Sequence, residues 1–328
     1  MNRRQLLKRT FLFSAALLPG SAIAQASGDL SAETEKSSQA PTIHYFGIGD
    51  WGWVEDELDA QVAVAKGMAA YIAARNIRPE GMLLLGDNFY GDMDGGVRCP
   101  RFQRQFESMY PKEVIPGACY AVLGNHDYDD QREVKVTAQL NYAQANPQTR
   151  WTMPSKWYRA ELGPKEKPLV TLLALDSNFR NLTKEEFAAQ KNWLLAELEK
   201  PRRTPWLTLM AHHPLYSDGA HGDTRALITE WDVLLRKYRV QHYFCGHDHD
   251  LQHLEFSDHP TSFVISGGGG AQTRMPDTRR GVFSQGIHGF THLEISGDTF
   301  ITRHCDAAGK VLHAFVKSPE GVVKFINS

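Results

Sequence analysis

Seven metal-binding side chains are spread through five short blocks of this chain. The blocks are Gly49-Asp50-Trp51-Gly52, Gly86-Asp87-Asn88-Phe89-Tyr90, Gly124-Asn125-His126-Asp127, Ala211-His212-His213-Pro214 and Gly246-His247-Asp248-His249. Their donors are carboxylates (Asp50, Asp87), an amide oxygen (Asn125), imidazoles (His212, His247, His249) and the Tyr90 phenol. A mixed oxygen and nitrogen set suits a first-row transition metal better than Ca²⁺ or Mg²⁺, which prefer all-oxygen shells. Seven donors exceed the needs of one ion, whereas two ions sharing a carboxylate use them all. Metal pairs about 3.5–4 Å apart recur in the splitting of phosphate esters. Any one block alone reads equally well as a turn or a packing motif. Five in order, each following an apolar run, describe a site.

The elements that position these blocks are legible as periodicities. Strands are expected at Ile43–Ile48 and over residues 82–85, 119–123, 169–175, 206–211 and 240–245. Helices are expected over 56–75, where Val62, Ala65, Met68, Ala69 and Ile72 share one face, and over 102–110, Lys184–Glu199 and 224–238. In the last third, residues 263–266, 290–295, 299–305 and 311–316 alternate apolar and polar, with turns at Ser296-Gly297-Asp298 and Ala308-Gly309, the pattern of antiparallel hairpins. Together these predict an α/β layered fold: two mixed β-sheets packed as a sandwich and flanked by helices. No linker divides residues 43–328, which read as one domain.

The chain has 328 residues, 42% of them hydrophobic, enough for a large core. Arg3-Arg4 and Lys8-Arg9, a short apolar stretch over 11–18 and Ala22-Ile23-Ala24 make residues 1–24 a secretory signal peptide of twin-arginine type. That stretch is too short for a membrane anchor. Residues 25–42 read as a flexible leader, and the protein is expected to be periplasmic or secreted and monomeric. Removing the four basic residues of the signal leaves 32 basic against 38 acidic residues, a net charge of −6. No long basic run remains, which argues against a nucleic-acid partner. Of the three pairings open to Cys99, Cys119, Cys245 and Cys305, Cys99 with Cys119 is a natural one because they flank the 102–110 segment. Trp51, Phe89, Tyr128 and Tyr216 read equally as an aromatic rim or as loop packing.

The blocks, with Arg101-Phe102-Gln103, Phe106-Glu107, Gly289-Phe290 and Ala308-Gly309-Lys310, resemble the metallophosphoesterase superfamily, and within it the small, mammalian-type purple acid phosphatases. Most metallophosphoesterases carry Asp-x-His in the first block; here Gly52 stands in place of that imidazole. Tyr90 answers it with a phenolate, a hard anionic donor that favours Fe(III) and gives the family its colour. The resemblance implies a ferric site of Asp50, Asp87, Tyr90 and His249. It implies a second, divalent site (Fe, Zn or Mn) of Asp87, Asn125, His212 and His247, with His212 rather than His213 as ligand. It also implies catalytic roles for His126 and His221. The expected reaction is hydrolysis of small phosphate monoesters by a metal-held hydroxide, without a phosphoenzyme. A phosphodiesterase of the same superfamily and a non-catalytic periplasmic metal- or phosphate-binding protein are the alternatives. The remaining histidines, His44, His242, His253, His259, His288, His292, His304 and His313, read as structural or surface residues.

Overall fold

The computed structural model describes residues 41–54, 57–129, 132–277 and 279–326. The expected signal peptide and nearly all of the leader lie outside them. In chain order the strands are β1 (Ile43–Ile48), β2 (Gly81–Leu84), β3 (Ala118–Ala121), β4 (Trp151–Thr152), β5 (Tyr158–Leu162), β6 (Val170–Ala174), β7 (Trp206–Met210), β8 (His242–Cys245), β9 (Leu251–Leu254), β10 (Ser262–Ser266), β11 (Phe283–Gln285), β12 (Gly289–Ile295), β13 (Phe300–Asp306), β14 (Val311–Lys317) and β15 (Val323–Ile326). The longer helices are α1 (Asp59–Ala74), α2 (Arg132–Ala145) and α3 (Lys184–Glu199).

The first sheet runs β15-β14-β13-β12-β1-β2-β3-β4 and the second β11-β9-β10-β8-β7-β6-β5. In the first, β1 to β4 are parallel and β12 joins β1 antiparallel. In the second, β6, β7, β8 and β10 are parallel. Period-two alternation in the second sheet divides the core between its faces. Leu172, Ala174, Met210, Phe244 and Val264 pack with Phe46, Ile48 and Leu84 of the first sheet. Their neighbours Leu173, Leu209, Tyr243 and Ile265 pack outward with Leu194 of α3 and with Leu227, Trp231 and Leu235.

Parallel strands buried on both faces appear as apolar runs, which is why the central strands were readable. The 224–238 expectation holds as a helical stretch, but its middle turn, Ile228–Asp232, is π-helical, as is Phe102–Glu107. One expectation is corrected. Residues 263–266 belong to no hairpin with the tail. Strand β10 is buried along its whole length, parallel to β8 and antiparallel to β9, a strand absent from the sequence reading. None of the three cysteine pairings left open by the sequence is formed; all four cysteines are buried free thiols. Among the described residues, no helix is long and apolar enough to cross a membrane.

Candidate metal centre

All five blocks emerge from carboxyl ends of parallel strands, the edge where open α/β sheets bind ligands. Asp50, Asp87 and Asn125 follow β1, β2 and β3; His212 and His247 follow β7 and β8. The two sheets contribute different chemistry. Every oxygen donor, including Tyr90, comes from the first sheet and every imidazole, including His249, from the second. Asp50, Asp87 and His247 have φ of 57°, 49° and 71°, left-handed conformations that non-glycine residues rarely adopt. Such strain persists where surrounding structure holds it, characteristically at functional sites.

The seven predicted donors converge into two linked groups. The Tyr90 hydroxyl lies 3.2 Å from Asp50 Oδ1, 3.0 Å from Asp87 Oδ2 and 3.1 Å from His249 Nε2. His212 Nε2 lies 3.4 Å from the same Asp87 oxygen, 3.0 Å from Asn125 Oδ1 and 3.3 Å from His247 Nδ1. Asp87 Oδ2 is therefore common to both groups. The Nδ1 atoms of His249 and His212 are paired with the carbonyls of Gln272 and Leu85, which accept at 2.8 and 2.9 Å. Those bonds turn both Nε2 lone pairs inward, the orientation that carbonyl partners give ligating histidines.

This donor set fits a cation. In the first group one hydroxyl proton faces three acceptors, and in the second the His212 lone pair faces the oxygens of Asn125 and Asp87. Asp50 and Asp87 are 0% and 1% exposed, and the groups acting most strongly on them are imidazoles and each other, with no lysine or arginine. Buried carboxylates without such partners are costly unless a metal neutralises them. The spacings of 3.0–3.4 Å also match the edges of a coordination polyhedron built from bonds of roughly 2.0–2.2 Å. Without a cation, burial lifts Asp50 above its ordinary range. Burial would also lift Asp87, but His212, His126 and His247 together hold it low. Burial opposes charge on His212, yet Asp87 raises it to about 9. Burial and then the two aspartates push the Tyr90 phenol well up, so a highly charged cation is what would make it a phenolate.

His213 packs against the second group, its ring centroid 4.3 Å from that of His247, but its donor atom is turned away from the cluster. Its Nδ1 pairs with the Ser177 hydroxyl at 2.9 Å, and burial followed by the charge on His212 lowers it to about 3. His126 and His221 flank the cluster on opposite sides. The His126 ring lies over Tyr90, centroids 4.4 Å apart, and its Nδ1 meets Asp129 at 2.8 Å. The His221 ring lies over His247 at 4.2 Å, with Nδ1 held by Asp248 at 2.8 Å and Nε2 receiving a bond from Arg274 at 2.9 Å.

Several supporting residues escaped the sequence reading. Asp176, after β6, accepts the Tyr128 hydroxyl and the Asn178 amides. Buried Lys135 of α2 bonds the His126 carbonyl, and Gln139 donates to Asp127, fixing the third block. Asp248 and Arg274 were invisible as partners of His221 because only the fold brings them there. Trp51, Phe89 and Tyr128 are core rather than rim, at 0, 0 and 4% exposure.

Glycines make the cradle. A Cβ on Gly52 would lie 1.7 Å from the Asn88 carbonyl oxygen, and one on Gly246 would lie 2.4 Å from Asp50 Oδ2. The histidine missing from position 52 therefore has no room there, since the backbone leading to Tyr90 fills the space.

Residues 44–251 match the calcineurin-like phosphoesterase family. The chain is 30% identical over 309 residues to mouse tartrate-resistant acid phosphatase type 5, covering 85% of this chain and 91% of that protein. It is 27% identical over 285 residues to purple acid phosphatase 17 of Arabidopsis thaliana, covering 81% and 80%. The structure of purple acid phosphatase PPD1 from yellow lupin superposes with a TM-score of 0.66 at 17% identity, covering 85% and 54%. A donor cluster at parallel-strand ends, a phosphoesterase match over most of the chain and relatives aligned over most of both chains agree: the chain belongs to the calcineurin-like phosphoesterases, among the tartrate-resistant, purple acid phosphatases.

Proposed function

We propose that this protein is an exported acid phosphatase that hydrolyses phosphate monoesters with two metal ions, a ferric ion at Asp50, Asp87, Tyr90 and His249 and a divalent ion at Asp87, Asn125, His212 and His247. The observation that carries this reading is the shared Asp87 oxygen, faced on one side by the phenol and on the other by an imidazole lone pair. When bound, such a pair supplies Lewis acidity toward phosphoryl oxygens and a lowered pKa for the attacking water.

The protein's own residues supply the rest. Asn125 Oδ1 is 2.9 Å from His247 Nδ1, so the two side chains present their donor atoms to one point. His221 takes the role of general acid: Asp248 holds its Nδ1, leaving Nε2 to pass a proton to the departing ester oxygen. In the described state that Nε2 accepts from Arg274 and carries no proton, so substrate must displace the guanidinium and a proton must reach Nε2 from solvent before it can be delivered. His126, on the Tyr90 side, is placed to hydrogen-bond a phosphoryl oxygen and stabilise the charge that develops there. Water attack predicts inversion at phosphorus and no covalent phosphoenzyme.

Metal analysis, a visible spectrum and turnover of paired aryl mono- and diesters test the reading together. Two ions per chain, a visible band lost in Tyr90→Phe and faster monoester turnover are expected. A colourless protein or preference for the diester refutes it.

A further inference from the structure

Beside the metal cluster lies a groove of about 650 Å³ that reaches from Asn125, His247 and His221 to Arg180 and Arg225. This size suits a ligand much larger than inorganic phosphate. Arg180 and Arg225 are exposed, and neither makes an ion pair among the described residues. The groove's single described carboxylate, Asp223, is engaged by Arg280 at 2.6 and 3.0 Å and so does not neutralise Arg225. The remaining polar lining, Ser177, Asn178, Asn181, Thr224 and a buried His213 whose charge is disfavoured, is uncharged. Arg180 sits at the end of the β6 loop whose Asp176 is locked by Gln190 of α3, so that wall is anchored.

We propose that Arg180 and Arg225 form a second anion subsite and that the preferred substrates are monoesters carrying a further phosphate group. This rests on the phosphomonoesterase reading above. Planar guanidinium groups bind phosphate through paired hydrogen bonds, and two facing one groove bind a dianion better than a carboxylate. One phosphate lies at the metal cluster and is hydrolysed; the other is held by the arginines and stays intact.

The holoenzyme is tested with butane-1,4-diol bisphosphate and butyl phosphate as substrates, and with butane-1,4-bisphosphonate and butylphosphonate as non-hydrolysable ligands in calorimetry. The bisphosphate should show a KM at least roughly tenfold lower, the factor expected from one charge-assisted hydrogen bond. Arg180→Ala with Arg225→Ala should collapse that ratio towards the twofold statistical advantage of two equivalent ends. Hydrolysis of both substrates without the advantage, or an advantage unchanged in the double variant, overturns the subsite. If neither ester is hydrolysed, the phosphomonoesterase reading fails instead and calorimetry decides the subsite. Tighter bisphosphonate binding that the double variant loses supports it, and equal binding of the two phosphonates overturns it.

Discussion

Gly52→Ala should damage this protein far beyond the size of a methyl group. The new Cβ would lie 1.7 Å from the Asn88 oxygen, 2.5 Å from its carbonyl carbon and 3.1 Å from the Phe89 nitrogen, all main-chain atoms. Restoring an ordinary contact of about 3.5 Å requires the Asn88 carbonyl to retreat by about 1.8 Å. The segment has little freedom to do so. The Asn88 side chain donates to Val122 O and Gln139, Tyr90 N donates to Gly52 O at 2.9 Å, and Arg101 ties Gly52 O to Tyr90 O. Overpacking of this kind costs about 1–3 kcal/mol, a fall of a few °C in Tm for a domain of this size. Asp87 and Tyr90 bracket the displaced peptide, so metal affinity should drop by roughly 10- to 100-fold, as when support around ligands is lost. Gly52→His should fare worse despite restoring the imidazole usual at this position. Gly297→Ala is the control, since its Cβ would meet nothing within 4 Å. Thermal unfolding with metal titration reads both effects. If Gly52→Ala behaves like Gly297→Ala, the steric account of the missing histidine is wrong.

Asp248→Asn leaves His221 without its carboxylate anchor and should lower kcat by about 10²-fold with a smaller change in KM; retained metal content alongside that loss separates positioning from site collapse. Tyr90→Phe should abolish the visible band while the fold persists, because Phe fills the same packing against Trp53. Stability should fall in acid: burial holds all eight histidines outside the site below their ordinary value, His313 at about 4 and His292 at about 2. Below about pH 6.5 the unfolded chain binds protons that the fold refuses, so unfolding free energy drops as pH falls through the window down to each folded value. Denaturant titrations from pH 7 to 4 should show this decline, and His313→Gln should make it shallower by about one proton; a flat profile would refute the assignment.

The candidate donors and the central strands that carry them were the most legible parts of the sequence. Candidate ligands on strand ends are flanked by glycines and apolar runs, so their type and order survive in one dimension. Helix α2 did not, because Val134, Val136, Ala138 and Leu140 repeat every second residue and mimic a strand. Strand β9 was missed because four residues mixing Gln and His carry little period, although all four are buried. Asp248 lies inside a recognised block, yet its role depends on a loop that returns 27 residues away. Buttressing groups such as Lys135 and Asp176 have no spacing signature at all.

The division of donors between the sheets has a consequence for how such a centre can change. The oxygen donors belong to one sheet and the imidazoles to the other, so mutations in either could retune the hardness or charge offered to an ion while the opposing half stays fixed. The same division would make ions bound there a clip: they would join positions from 50 to 249 across the sandwich, and neither half of the chain could assemble the centre alone. Metal bound there would resist separation of the layers and close a ring of about two hundred residues, limiting the freedom of the unfolded chain as a long cross-link does.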